Sequence, residues 1–304
     1  MPAPTNTITS SDVLFGLSQE FMANFSQDVD QLAGLMGIVT PEVVGAGYTL
    51  EQHAVTGSLT NKKAADEDAA TAGTSGTGYV EGDLVALSKY SVTSKTIEKA
   101  KLRPYRKVTT AQAIAEHGLE WSVIRTDNKM GADVRDDIMS EFFSFLGNGT
   151  GTAKGKSLQA ALAYGDAKLA DTFEANHDNQ VATLHFVNRT DVADYLANAT
   201  VTTQDAFGLT YMQDFLGVQN VFVTSRVPAG TVYVTDADNL HMYAQDFGAL
   251  QSAGLEYAVS DSGLIGVNHS ALYDHVSVET NVLTGMVLFP EVTDYIVKAT
   301  ISAS

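Results

Sequence analysis

The sequence predicts an α+β fold, and three features predict it. Apolar residues recur at helical spacing in two long stretches, one near the start and one ending at residue 146. Residues 43–92 and most of the chain after residue 182 are rich in β-formers, in short runs bounded by turn residues. Between 182 and 236 the pattern runs strand, helix, strand, turn, strand, which describes a mixed lobe.

The elements follow in order. Residues 1–12 are polar, carry two prolines and suit an extended arm. Residues 13–36 read as an amphipathic helix with Phe21, Phe25, Val29 and Leu32 as its stripe, and Gly34 and Gly37 at its stop. In residues 43–92, two extended runs flank GSLTNKKAADEDAATAGTSGTG, where Lys62 and Lys63 stand near Asp66, Glu67 and Asp68. So polar a segment cannot pack by itself, and a lone two-stranded projection is marginal in water. It is expected to rest on another subunit. Residues 95–109 read as a strand, and TTAQAIAEHG as a short helix capped by Thr and closed by Gly118. A long helix spans about 119–146, with a bend expected near Gly131. Val134, Ile138, Phe142 and Phe145 form its apolar stripe, while Asp133, Asp136, Asp137 and Glu141 lie elsewhere on the cylinder. Then come a helix at 157–173, a strand at 182–189, a short helix from Arg189, and strands at 219–225 and 231–236 around a turn set by Pro228 and Gly230. Strands fill 264–282 and 284–301.

Composition excludes several classes of function. The chain has 304 residues, is 44% hydrophobic and has no cysteine. That rules out disulfides, thiol catalysis and cysteine-ligated metal sites. The N-terminus lacks the basic and apolar regions of a signal peptide, and no run is long and apolar enough to span a membrane. The expected setting is the cytosol. Net charge is −18, and residues 157–304 carry four basic against 17 acidic residues. Such a surface repels nucleic acid. The exception is Lys89 to Lys107, with seven basic residues in 19 positions. With few aromatics between them, they suit a strand's solvated face or the positive half of a contact between copies better than a nucleic-acid patch.

Chemical motifs fail on inspection. GNGTGTAKGKS, from Gly147 to Ser157, approaches a phosphate loop, but the register puts Thr150 where the first glycine belongs. The residues before it read as helix, whereas a phosphate loop follows a buried strand. The stretch reads instead as a helix stop in which Gly147 takes the left-handed conformation. Ser75 sits in no nucleophile elbow. The seven histidines are scattered; His269 and His275, six apart in an expected strand, would share a face but lack a third metal ligand. Asp236 and Asp238 resemble part of a calcium loop without its glutamate, so a turn with Asx hydrogen bonds is expected. Trp121, the one tryptophan, is expected in the core. No catalytic, cofactor or metal site emerges. An arm and a long projection make sense when their partners are identical copies.

Three segments then carry a resemblance. FLGNGTGTAKGKSLQAAL, NVFVTSRVPAGTVYVTDADNL, and ALYDHVSVETNV followed by TGMVLFPEVTDYIVKATI resemble the major capsid proteins of tailed bacteriophages with the Hong Kong 97 fold. The resemblance covers nearly the whole chain in element order. It implies an N-terminal arm at 1–44 and an extended loop at 45–92. It further implies a peripheral domain with a spine helix at 93–152 and 265–282, and an axial domain at 153–264 and 283–304. Gly147, Gly149 and Gly151 would form a hinge between the domains. Lys62, Lys63, Asp66, Glu67 and Asp68 would make loop contacts between subunits. Some members cross-link a loop lysine to a neighbour's asparagine; Lys62 or Lys63 with Asn268 or Asn281 are the residues that would serve. The implied function is a shell of hexamers and pentamers around packaged DNA, held without sequence-specific binding, with portal and decoration proteins as further partners. The arm helix begins about 13 residues from Met1, which implies a separate scaffolding protein or none. Encapsulin compartments share the fold and are the alternative. A nucleotide-binding enzyme built on Lys156 and a tail or decoration protein are others.

Overall fold

The computed structural model describes residues 10–36, 42–45, 47–59, 81, 85–195, 204–206, 209–212, 217–218, 220–247, 250, 255, 257–259 and 265–302. The elements in chain order are α1 (Ser10–Met36), β1 (Glu42–Val44), β2 (Thr49–Ser58), β3 (Lys89–Lys99), β4 (Arg103–Thr110), α2 (Ala111–Leu119), a π-helical turn (Glu120–Ile124), α3 (Arg125–Leu146), β5 (Gly151–Gly155), α4 (Leu158–Asn176), β6 (Thr183–Asn188), α5 (Arg189–Tyr195), β7 (Gln204–Ala206), β8 (Leu209–Met212), β9 (Val221–Thr224), β10 (Thr231–Asp236), β11 (Leu240–Gln245), β12 (Ala258–Val259), β13 (Ile265–Leu272), β14 (Ser277–Thr284), β15 (Val287–Pro290) and β16 (Ile296–Ile301).

The chain divides into two compact units, Met1–Leu50 with Glu98–Ser304, and Glu51–Ile97. In the larger unit a seven-stranded sheet runs β5-β16-β10-β6-β9-β8-β7. Alternation along its strands sends side chains to two cores. On one face Val187, Val232, Val234, Val297 and Ala299 meet Leu158, Ala161, Leu162 and Leu169 of α4. On the other, Phe186, Phe222, Tyr233 and Ile296 meet Val134, Ile138, Phe142 and Phe143 of α3. A four-stranded sheet, β12-β13-β14-β4, and a three-stranded one, β1-β11-β15, complete this unit. The smaller unit is built on the hairpin β2–β3, where the Thr56 and Ser91 hydroxyls lie 2.9 Å apart and Thr96 donates to Glu51.

Several expectations need correction. The strand expected over 95–109 is two, β3 and β4. Pro104 fits because, among the described residues, β4 is an edge strand, bonded only to β14. The helical break falls at Gly118 (φ 77°), near the end of α2 and just before the π-helical turn, and α3 runs unbroken through Gly131. Gly131 faces the Phe21 ring: a Cβ there would lie 3.4 Å from it, an ordinary contact. Gly147 ends α3 in right-handed backbone (φ −61°), its N–H bonded to the Phe143 carbonyl, so no left-handed cap is used. Trp121 is 62% exposed, with the Arg125 guanidinium 4.3 Å above its ring. His275 lies in the exposed turn after β13 and does not share a strand face with buried His269.

Candidate functional site

The basic segment supplies the first functional geometry. Arg103, Tyr105 and Lys107 alternate along β4 and so share one face. They meet Glu141, Asp137 and Asp127 of α3: Arg103 pairs with Glu141, the Tyr105 hydroxyl donates to Asp137, and Lys107 Nζ lies 2.6 Å from Asp127 Oδ1. On the opposite face Arg106 donates to Glu279 of β14 at 2.7 Å. Arg226, in the turn after β9, pairs with Asp136. The basic residues of β4 are therefore neutralised within the chain. This strand zips the long helix to the sheet and offers nucleic acid no unpaired charge. Arg106 holds the Glu279 carboxyl below its usual range. Burial pushes the Tyr105 phenol up, and the bond to Asp137 adds to it.

The zip continues inward. Asp127 Oδ2 lies 3.0 Å from His269 Nε2 of β13, and its Oδ1 also accepts from Thr280 of β14 at 3.1 Å. His269 Nδ1 lies 2.7 Å from Ser18 Oγ of α1, and the His269 backbone N–H donates to the same oxygen at 3.1 Å. Burial opposes ionisation of Asp127, but hydrogen bonds from His269 and Lys107 outweigh it and hold the carboxyl below its usual range. Ser, His and Asp in a row invite comparison with a hydrolytic triad. Here Ser18, His269 and Asp127 are all buried, and the hydroxyl is also within 3.1 Å of the Leu14 carbonyl. The arrangement presents no nucleophile to a substrate; it ties α1, α3, β4, β13 and β14 together.

No family model matches the sequence, and no curated protein matches it. Solved structures do match. The capsid of cyanophage A-1(L) aligns over 100% of this chain and 96% of its own, at 11% identity and a TM-score of 0.52. The holo-SrpI encapsulin complex from Synechococcus elongatus PCC 7942 aligns over 88% and 86%, at 11% identity and 0.48. A virus-like particle from Pyrococcus furiosus aligns over 92% and 98%, at 11% identity and 0.47. The first of these, spanning both chains almost end to end, decides the architecture. The chain has the Hong Kong 97-type capsid fold.

Within this capsid fold, the glycine-rich stretch links α3 to β5. Thr150 donates its N–H to the Thr293 carbonyl at 3.1 Å and its hydroxyl to Asp294 at 2.5 Å. Gly149 and Gly151 are small because β16 is close: a Cβ on Gly149 would lie 2.6 Å from Ile296 Cγ2, and one on Gly151 3.0 Å from the Ile296 carbonyl oxygen. The phosphate-loop lookalike follows a helix, α3, as expected, and β5 occupies the positions where the loop itself would lie. Only Lys156 and Ser157 separate β5 from α4, and a Cβ on Gly155 would fall 2.2 Å from the Ala161 nitrogen. Ser157 already caps α4 by accepting from the Ala160 N–H. The space a phosphate needs is filled by the helix itself. The Asp236 carboxylate accepts N–H groups from Asp238, Val181 and Ala182 at 3.0, 3.0 and 3.1 Å, the Asx turn that the sequence suggests. Lys62, Lys63, Asp66, Glu67 and Asp68 lie outside the described residues.

The hairpin of the smaller unit is the second feature with functional meaning. Among the described residues its strands form a sheet of two. Tyr90 and Val92 are 61% and 66% exposed, and Val55, Val85 and Leu87 are exposed too. Lys89, Lys95 and Lys99 stand among them. The alternating Val and Tyr made the strands legible in the sequence. The pairings of the first site left no sequence signal, since Arg106 and Glu279 are 173 residues apart.

Proposed function

We propose that this chain is a shell subunit, the major capsid protein of a tailed bacteriophage, which assembles into hexamers and pentamers around packaged DNA. The observation that carries the reading is the β2–β3 hairpin on a body with the capsid fold. Two strands alone are marginal in water, and Tyr90, Val92 and Val55 on this pair are exposed. A second copy of the acidic body would supply apolar cover and negative charge for its lysines. In this reading residues 1–44 are the arm and 45–92 the extended loop. Residues 93–152 with 265–282 form the peripheral domain, and 153–264 with 283–304 the axial domain. α3 is the spine helix, and Gly147, Gly149 and Gly151 mark the passage between the two domains. Lys62, Lys63, Asp66, Glu67 and Asp68 belong to the loop that reaches the neighbour. The role is structural, without catalysis. Scaffolding, portal and decoration proteins are the further partners, and the mature location is the virion.

The test is to express the chain alone, size it by chromatography and image the largest fraction by electron microscopy. Closed icosahedral particles or hexamers are expected, with Tyr90→Ala/Val92→Asp remaining folded but unassembled. Normal shells from that variant, or ATP binding by a monomer, would overturn the reading. Particles that recruit a folded enzyme instead of DNA would point to an encapsulin compartment.

A further inference from the structure

We propose that the lysine face of the β2–β3 hairpin of one copy docks on an aromatic and acidic platform on the body of a second copy, where Lys89 and Lys95 meet Glu42, Glu291, Tyr48 and His241. The inference rests on the shell reading and names the surface that the hairpin meets. Cross-strand contacts fix the hairpin's register. Thr56 stands opposite Ser91, Glu51 opposite Thr96, and a Cβ on Gly57 would lie 2.8 Å from the Tyr90 Cα. Residues directly opposite in an antiparallel pair share a face, and neighbours along a strand alternate. Tyr90, Val92 and Val55 therefore lie on one face with Glu51. Lys89, Ser91, Thr93 and Lys95 lie on the other with Thr56, and all five are exposed. The two faces differ in chemistry and so fit different surfaces. No acidic residue occupies a position of the lysine face on either strand, so the strands themselves do not neutralise it.

The platform lies on the three-stranded sheet of the body, on the face turned away from Leu240, Met242 and Ala244, which enter the core. His241 and Tyr243 share that face of β11, and Glu42 of β1 stands beside Tyr243 in parallel register. The Tyr48 and Tyr243 rings lie 5.6 Å apart. The His241 imidazole stacks on Tyr243 at 6.1 Å, and its Nε2 lies 3.0 Å from Glu291 Oε2. Tyr243 is buried, Tyr48 and Glu42 are exposed, and His241 and Glu291 are half-buried. Burial pushes the Tyr243 phenol up, and Tyr48, Glu291 and Glu42 push it further, so the platform favours positive charge. A lysine suits it on two counts. Its ammonium meets the carboxylates and an exposed ring face, and its four-carbon stem covers apolar ring surface. The acidic face of α3 is a poorer receiver, because Arg103, Lys107 and Arg226 of the same chain already engage it. Hairpin and platform are unlike surfaces, so their contact passes head to tail from copy to copy and closes into a ring when the rotation allows.

The test mixes isotope-labelled and unlabelled full-length chains, lets them assemble, and joins touching lysines and carboxylates with a zero-length carbodiimide. Peptides in which Lys89 or Lys95 of one isotope is joined to Glu42 or Glu291 of the other are expected. Charge reversal supplies the second readout. Lys89→Glu/Lys95→Glu and Glu42→Lys/Glu291→Lys should each lower the assembled fraction by about tenfold or more, because like charges then face each other. All four substitutions in one chain should recover most of that loss. If the reversed platform loses its circular dichroism, Glu42→Gln/Glu291→Gln is read in its place, with a reduced assembled fraction expected. Wild-type shells whose mixed-isotope cross-links omit these pairs overturn the contact and leave the shell reading standing. So do altered chains that assemble as wild type does, or a fourfold variant no better than either pair. A wild type that stays monomeric overturns both.

Discussion

Three neighbouring residues, Gly155, Lys156 and Ser157, separate a packing role from a phosphate-binding one. An alanine at 155 would put its Cβ 2.2 Å from the Ala161 nitrogen and 2.6 Å from the Ala160 carbonyl carbon and the Ala161 Cα. All three are backbone atoms of the first turns of α4, so no side chain can turn aside. Overpacking costs about 1–3 kcal/mol where neighbours can yield; here the expected loss for Gly155→Ala is about 3 kcal/mol or more. Ser157→Ala removes the hydroxyl that accepts the Ala160 N–H at 3.2 Å, worth about 1 kcal/mol for an N-cap. Lys156 is exposed, and Lys156→Ala should fall within about 0.5 kcal/mol of wild type. The assay is urea denaturation of the three variants followed by circular dichroism, with ATP titration calorimetry alongside. The expected ranking is Gly155 first, Ser157 second and Lys156 negligible, with no heat of ATP binding. A neutral Gly155→Ala, or nucleotide affinity that vanishes with Lys156→Ala, would refute the reasoning.

Further expectations concern other sites. Asp127→Asn should cost about 3 kcal/mol at neutral pH, because it breaks a buried ion pair while Lys107 keeps Thr126 and the Val123 carbonyl as partners. The native Asp127 carboxyl titrates below its unfolded value, so its contribution is full above the usual carboxylate range and is lost as pH falls through the lowered native value. Acid titrations of wild type and Asp127→Asn should therefore converge at low pH; parallel curves would contradict this. Val276 holds φ at 46° in the turn after β13 while its side chain is 65% exposed, a strained setting for a β-branched residue. Val276→Asn should raise stability by about 1 kcal/mol in thermal denaturation. Phe142→Ala, in the core between α3 and the large sheet, should cost about 3–5 kcal/mol, readable as a shift of the urea midpoint.

Much of the architecture was legible because it obeys local rules. The stripe Val134, Ile138, Phe142 and Phe145 is buried as its spacing demands. TVYVTD at 231–236 is the strand β10, and Thr110 caps α2 by accepting the Ala113 N–H. Other features were hidden for physical reasons. β5 is Gly-Thr-Ala-Lys-Gly, which reads as a turn; it is a strand because β16 lies against it too closely for side chains at 149 and 151. Gly131 looked like a bend and is a seat for Phe21. Asp127, His269 and Lys107 carried no motif, since their partnership is made by folding; Asp127 and His269 alone are 142 residues apart. Trp121 was misplaced because size predicts burial on average, and Arg125 gives this ring a cover that does not require the core.

The order of the large sheet has a consequence for how the protein is made. β16 lies between β5, to which it is parallel, and β10, to which it is antiparallel. Of the strands in that sheet it is synthesised last. About 140 residues separate Gly155 from Ile296, which at translation rates of about 5–20 residues per second means on the order of 10–30 s. Throughout that interval β5 has no ladder partner and β10 keeps one edge open. A nascent chain thus cannot complete this lobe until its last inner strand has been inserted.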